Sequence, residues 1–146
     1  MLPVWDTLVA AGRIGRPVFL RFAWGCDGQD AAGQAAAAIS RAGELLGEPS
    51  AVLFARGEAA IGCLHVVVTF RSGATALLIC GPGTAEEDAV LLGNRGAVYA
   101  DGGEVSVYQR LCGAAAEAHS PSPEILAALE EALRTGAPVR VEGCDA

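Results

Sequence analysis

The most apolar stretch of the chain, Gly62–Gly81 (GCLHVVVTFRSGATALLICG), reads as two arms turning at Ser72-Gly73. Val, Ile, Thr and Phe dominate the arms, and a short Gly-containing loop between such arms marks a β-hairpin. With Ser72-Gly73 as a two-residue loop, Arg71 faces Ala74, Val68 faces Leu77 and His65 faces Cys80. Successive side chains of a strand point to opposite faces. One face then carries Leu64, Val66, Val68, Phe70, Leu77 and Ile79; the other carries Cys63, His65, Val67, Thr69, Ala76, Leu78 and Cys80. Both faces are apolar, whereas an antiparallel sheet over a single core usually keeps one face wet. One side is expected to take the chain's own helices, and the other a partner subunit.

The remaining pattern supplies those helices. Pro3–Ala11 reads as a short helix with Pro in its first turn and Gly12 as its stop. Val18–Trp24 reads as a strand, followed by a polar loop at Cys26–Asp30. Ala31–Leu46 is an alanine-rich helix closed by Gly47, with Asp30 as its expected N-cap and Ile39, Ala42, Leu45 and Leu46 as its buried stripe. Ala51–Arg56 and Glu87–Leu92 flank the long hairpin as further strands. Ala97–Ala100 and Glu104–Gln109 predict a second hairpin, and Ala114–Ala118 a helical fragment. Ser122 is the expected cap of a helix over Pro123–Thr135, before a closing strand at Pro138–Val141. Strands clustered in one block, with helices before and after, predict an α+β fold: a largely antiparallel, open-faced sheet with helices on one face and the second face used for dimerisation. No internal boundary divides residues 1–146, which read as a single domain.

Composition narrows the function. The net charge is −7, against the basic stripe that nucleic acid requires. All ten basic residues are Arg, so lysine Schiff-base chemistry is excluded. Charged residues make up 18% of the chain, below the usual quarter, which fits a subunit with an extra buried face. The five cysteines are scattered and odd in number with no Cys-x-x-Cys pair, which predicts reduced thiols, a cytoplasmic protein and no zinc site. No apolar run is long enough to span a bilayer as a helix, and none at the N-terminus reads as a signal peptide.

A set of ordered motifs resembles a known family. Leu8–Val18 (LVAAGRIGRPV) is similar to the helix, Gly-x-Ile-Gly-x-Pro and strand that open the C-terminal domain of the glucose–fructose oxidoreductase / inositol dehydrogenase (Gfo/Idh/MocA) family. Leu45–Pro49, the hairpin at Val67–Ala76, the turn Gly93-Asn94-Arg95-Gly96 and the closing Gly136-Ala137-Pro138-Val139 resemble later motifs of that domain in order. The resemblance implies an oxidoreductase-like domain that associates through its sheet. The family's Rossmann domain, with its Gly-rich fingerprint and Glu-Lys-Pro motif, has no counterpart here. The family's Asp-x-x-x-His pair, a proton donor and acceptor, falls on Gly33 and Ala37, and an aspartate often found beyond it becomes Ser40. A proton shuttle needs a titratable group within hydrogen-bond reach. No nicotinamide cofactor and no metal are therefore expected, nor NAD(P)-dependent oxidation by this chain alone.

Candidate residues follow from both readings. His65, Asp30 and Glu58 are the titratable groups available for proton transfer, with Cys80 placed near His65. Arg21, Trp24 and Asp27 lie at the end of the first strand and in the loop after it, where the resemblance implies contact with substrate. Each has a structural explanation as well: Asp30 as a cap, Trp24 and the cysteines as core, His65 as an interface histidine, His119 as a loop residue. The expected function is a redox-incompetent accessory or small-molecule-binding subunit that forms a homodimer and docks on a separately encoded Rossmann-type protein. The alternative is a cofactor-independent isomerase, lyase or cyclase reusing the substrate cleft.

Overall fold

In a computed structural model of the chain, the described residues are 5–26, 28–47, 49–82, 88–101 and 122–141. Their elements run α1 (Asp6–Ala10), β1 (Pro17–Gly25), α2 (Ala31–Leu46), β2 (Ser50–Glu58), a 3-10 turn (Ala59–Ile61), β3 (Cys63–Phe70) and β4 (Thr75–Gly81). They continue with β5 (Asp88–Gly93), β6 (Ala97–Asp101), α3 (Pro123–Thr135) and β7 (Val139–Arg140). The strands form one sheet in the order β6-β5-β1-β4-β3-β2-β7. β1 and β4 are parallel and the other pairs antiparallel. The fold is α+β, as expected. The expected strand Glu104–Gln109, the fragment Ala114–Ala118, His119 and Asp27 lie outside the described residues.

The core lies between the sheet and its helices. α2 crosses β1, β3 and β4, while α3 covers β2 and β7. Ala35, Ala36, Ile39, Ala42 and Leu45 of α2 are buried, and the run of alanines lets the helix backbone approach the strands closely. Arg41, on the same helix, is also buried. It donates from Nη1 to Asp6 Oδ1 at 2.9 Å and to Glu44 Oε2 at 2.8 Å, and from Nη2 to Asp6 Oδ2, which ties α1 to α2. Burial disfavours its cation, but the hydrogen bonds to the two carboxylates outweigh burial and hold its pKa above the ordinary value.

Two of the motifs that carry the family resemblance meet in space. The turn at Asn94–Gly96 docks on Ile14–Arg16: Asn94 N–H donates to Arg16 O at 3.0 Å and Arg95 N–H to Ile14 O at 3.0 Å. Asn94 Oδ1 in turn accepts from the Arg16 N–H at 2.9 Å. Gly93 sits where any Cβ would strike the Ile14 carbonyl.

The hairpin forms, with a different register. Phe70 N–H donates to Ala74 O at 2.9 Å and Gly73 N–H to Phe70 O at 3.0 Å, so the loop is Arg71-Ser72-Gly73. Gly73 takes φ +85°, the left-handed residue of a three-residue turn. The extra loop residue shifts the pairing to Val68↔Ala76, Val66↔Leu78 and Leu64↔Cys80. A one-residue slip moves a whole strand to the other face. Leu64, Val66, Val68, Phe70, Ala76, Leu78 and Cys80 are therefore buried under the helices. Cys63, His65, Val67, Thr69, Thr75, Leu77 and Ile79 line the open face. His65 consequently faces Ile79, not Cys80.

Both expected side-chain caps are corrected. Asp30 stands at the start of α2 in the left-handed region (φ 51°) and its side chain makes no cap hydrogen bond. Ser122 precedes α3 without a cap bond of its own; its hydroxyl is bonded to the Glu124 carboxylate instead. The C-terminal stops are as expected: Gly47 and Gly136 are both left-handed, and their N–H groups return to carbonyls of the last turn.

Candidate functional site

Two regions gather the residues that chemistry would need, one at the N-terminal end of α2 and one on the open sheet face. At the helix, Trp24 is buried and stacks on Phe22 with ring centroids 5.0 Å apart. Its indole N–H donates to Gln34 Oε1 at 3.2 Å, and Gln34 Nε2 donates to the Gln29 carbonyl at 3.0 Å. Gln34 thereby joins the end of β1 to the loop before α2. The Asp30 carboxylate lies against Gly33, in space a Cβ at Gly33 would occupy. The loop then runs against the 3-10 turn, where a Cβ at Gly28 would meet the Ala60 carbonyl at 2.5 Å. Gly33 and Ala37, at the positions the resemblance gives to an acid–base pair, carry no titratable group.

On the open face, Arg21 Nη1 donates to Asp88 Oδ2 at 2.5 Å, and both side chains are 38% exposed. Trp24, three residues further along β1, points under α2, so Arg21 and Trp24 do not converge on one ligand. Towards the β2–β3 end, Arg56 lies opposite His65, and Glu58 opposite Cys63. Residues directly opposite one another have their Cβ atoms about 5 Å apart and diagonal neighbours are about 7–8 Å apart. His65 and Glu58 therefore share one patch, with Arg56 and Cys63. Arg56 sits over the Phe54 ring at 5.5 Å and reaches the Gly136 carbonyl at 3.4 Å. Asp30, at the start of α2, belongs to the other region.

Cys80 lies under the helices beside Cys26, to which its thiol is hydrogen-bonded. Burial pushes the Cys80 thiol up to about 11, against a lowering hydrogen bond from the Leu64 backbone. At neutral pH it is a protonated, packed thiol. Among the described residues no group of three or more His, Cys, Asp or Glu side chains is placed to hold a metal ion, and no helix is long and apolar enough to cross a membrane.

Sequence reasoning missed Gln34 and Asp88. Gln34 had a signal, as the one hydrogen-bonding side chain in the run from Ala31 to Ile39. Asp88 had none, because its partner Arg21 lies 67 residues away.

No family model and no curated protein matches the sequence. Solved structures do match its fold. A probable dehydrogenase from Thermotoga maritima superposes with a TM-score of 0.67 at 18% identity, over 94% of this chain and 60% of that one. Myo-inositol dehydrogenase from Lactobacillus casei, solved with NAD(H) and myo-inositol, gives a TM-score of 0.72 at 11% identity, over 97% of this chain and 58% of that one. Apo scyllo-inositol dehydrogenase from the same organism gives 0.69 at 14% identity, over 93% and 59%. The chain thus has the fold of an oxidoreductase-type α+β domain. More particularly, it matches about three-fifths of an inositol-dehydrogenase-type chain, which agrees with the C-terminal domain its motifs resemble.

Proposed function

We propose that this chain is an accessory subunit built on a dehydrogenase-type domain. It pairs with a second copy through the open sheet face, holds a small polar molecule beside the N-terminal end of α2, and docks on a Rossmann-type protein instead of transferring hydride itself. The observation that carries the reading is the open face. Phe54, Val67, Leu77, Ile79, Val90 and Leu92 line it across four strands, and among the described residues no helix packs over them. Val67 is 37% exposed and Tyr99, on β6, 56%. An apolar surface of that extent marks an interaction site. A redox-incompetent role is supported by Gly33 and Ala37. For the ligand, the exposed side chains of Gln34 and Asp30 offer an amide and a carboxylate, a set suited to a polyol such as the myo-inositol bound by the Lactobacillus casei enzyme.

Native mass spectrometry, on the chain alone and co-expressed with a Rossmann-type dehydrogenase domain, tests both associations. A homodimer, and a mixed complex on co-expression, are expected. A bare monomer in both cases would overturn the proposal. Calorimetric titration with myo-inositol tests the ligand class, and Gln34→Ala is expected to abolish any binding.

One observation favours a second reading, an enzyme such as an isomerase, lyase or cyclase working with its own side chains. Glu58, Cys63 and His65 share one patch. A co-purified small-molecule adduct that His65→Gln removes and Gln34→Ala leaves in place would select it.

A further inference from the structure

We infer that the end of the sheet at which β1 begins is a docking surface for an acidic segment of another protein, held by Arg13, Arg16 and Arg95. Three turns meet there. Asn94–Gly96 is bonded to Ile14–Arg16, with the Arg95 N–H on the Ile14 carbonyl at 3.0 Å. The hairpin turn joins them through Arg16, whose Nη2 donates to the Ser72 carbonyl at 3.4 Å. Arg13, Arg16 and Arg95 are all exposed. Arg71, on the hairpin turn, brings a fourth cation to this end and has a bonding partner of its own.

Acids outnumber bases 17 to 10 in this chain, and Arg21, Arg41 and Arg134 each hold a carboxylate. Among the described residues no ion pair reaches Arg13, Arg16 or Arg95. No Asp or Glu occurs in residues 11–18, 71–76 or 91–98, and Asp6, the acid before Arg13, is bonded to Arg41. Adjacent like charges repel, and carboxylates laid across them relieve that repulsion with charge-assisted hydrogen bonds. Two of the three cations are positioned in advance. Arg16 is hooked to the Ser72 carbonyl, and the stem of Arg95 lies across Gly15, where a Cβ would stand 2.9 Å from Arg95 Cγ. Side chains held in place lose less freedom on binding. Val18, where β1 shifts its register against β5, is 41% exposed and adds an apolar contact beside Arg16.

The chemistry favours a protein segment as the occupant. Nucleic acid needs a longer basic stripe, and the net charge of −7 repels a long polyanion. A lone small anion on exposed turns keeps most of its water and gains little from any one guanidinium. A segment with several carboxylates engages all three cations at once, so each contact raises the effective concentration of the next. β1 has nine residues at about 3.3 Å each, which sets this end roughly 25–30 Å from the loop before α2. The surface is therefore separate from the ligand region proposed above, and it does not depend on pairing through the open face.

Fluorescence anisotropy of the full chain with fluorescein-labelled hexaglutamate at low salt tests the inference. Saturable binding is expected although the chain is net negative, because the local cations decide it. Arg16→Gln/Arg95→Gln should weaken binding about fivefold or more. Arg134→Gln/Arg140→Gln removes the same charge from another exposed surface and should change binding less than about twofold. Circular dichroism establishes that each variant is folded. No binding, or binding that the two pairs of substitutions weaken equally or not at all, overturns the surface. A labelled oligothymidylate of equal charge that binds more tightly through the same arginines overturns the acidic segment in favour of nucleic acid. Inorganic phosphate that displaces hexaglutamate, where sodium chloride of equal ionic strength does not, overturns it in favour of a small-anion site.

Discussion

Cys80 shows how one residue's environment becomes a property of the fold. Its thiol is buried, and its pKa is raised from 9.0 to about 11. The folded state therefore holds the proton more tightly than the unfolded chain. Stability from this group is fully present below the unfolded value near 9 and is lost as pH rises towards 11. One pKa unit corresponds to about 1.4 kcal/mol, so the loss is roughly 2 kcal/mol at pH 11, where the folded thiol is half ionised. Urea denaturation at pH 8 and pH 11 should show that difference, and Cys80→Ala, although less stable at pH 8, should show a smaller one. Arg41 makes the complementary case. Asp6→Ala removes one of its two carboxylate partners and leaves the buried guanidinium bonded to Glu44. The expected cost is about 1–3 kcal/mol in the same assay. Neither effect was legible in the sequence. The wrong hairpin register put Cys80 on the open face beside His65. The Asp6–Arg41 pair spans 35 residues, which no local pattern records.

Elements were legible where periodicity and stop signals agree. Ala31–Leu46 and Pro123–Thr135 both run as expected, because Gly47 and Gly136 end them through left-handed carbonyl closure. Strand existence was legible for the same kind of reason. Register was not, because both faces of the hairpin are apolar and the pattern itself could not choose between a two-residue and a three-residue loop. The choice rests on Gly73, whose φ of +85° costs an L-residue about 1–2 kcal/mol. No atom lies within 4 Å of a Cβ added there. Gly73→Ala is therefore a pure conformational test. It should lower stability by that amount, with the chevron showing whether the turn is already formed in the folding transition state. Gly73→Asn, which tolerates the left-handed region better, should recover part of the loss.

At the scale of the whole molecule, a sheet with two apolar faces was readable from composition and alternation before any coordinate. What would cover the second face was not, because only one set of helices is encoded among the described residues and a partner leaves no mark in its neighbour's sequence beyond the exposed side chains. The consequence is thermodynamic. If native chains pair through that face, association stabilises the folded state by mass action, and the melting temperature must rise with protein concentration. Val67 lies in the middle of the open face of β3, opposite Leu77 and Phe54. It is 37% exposed, so an aspartate there can keep its carboxylate in water within a single chain. Under a second sheet the same carboxylate would be desolvated without a cation in place. Val67→Asp should therefore leave the melting temperature of a dilute sample nearly unchanged and abolish its rise on concentration. Calorimetry from micromolar to near-millimolar chain reads both quantities. A concentration dependence that survives in Val67→Asp would move the interface elsewhere. A wild type whose melting temperature does not change with concentration would leave the open face unpaired.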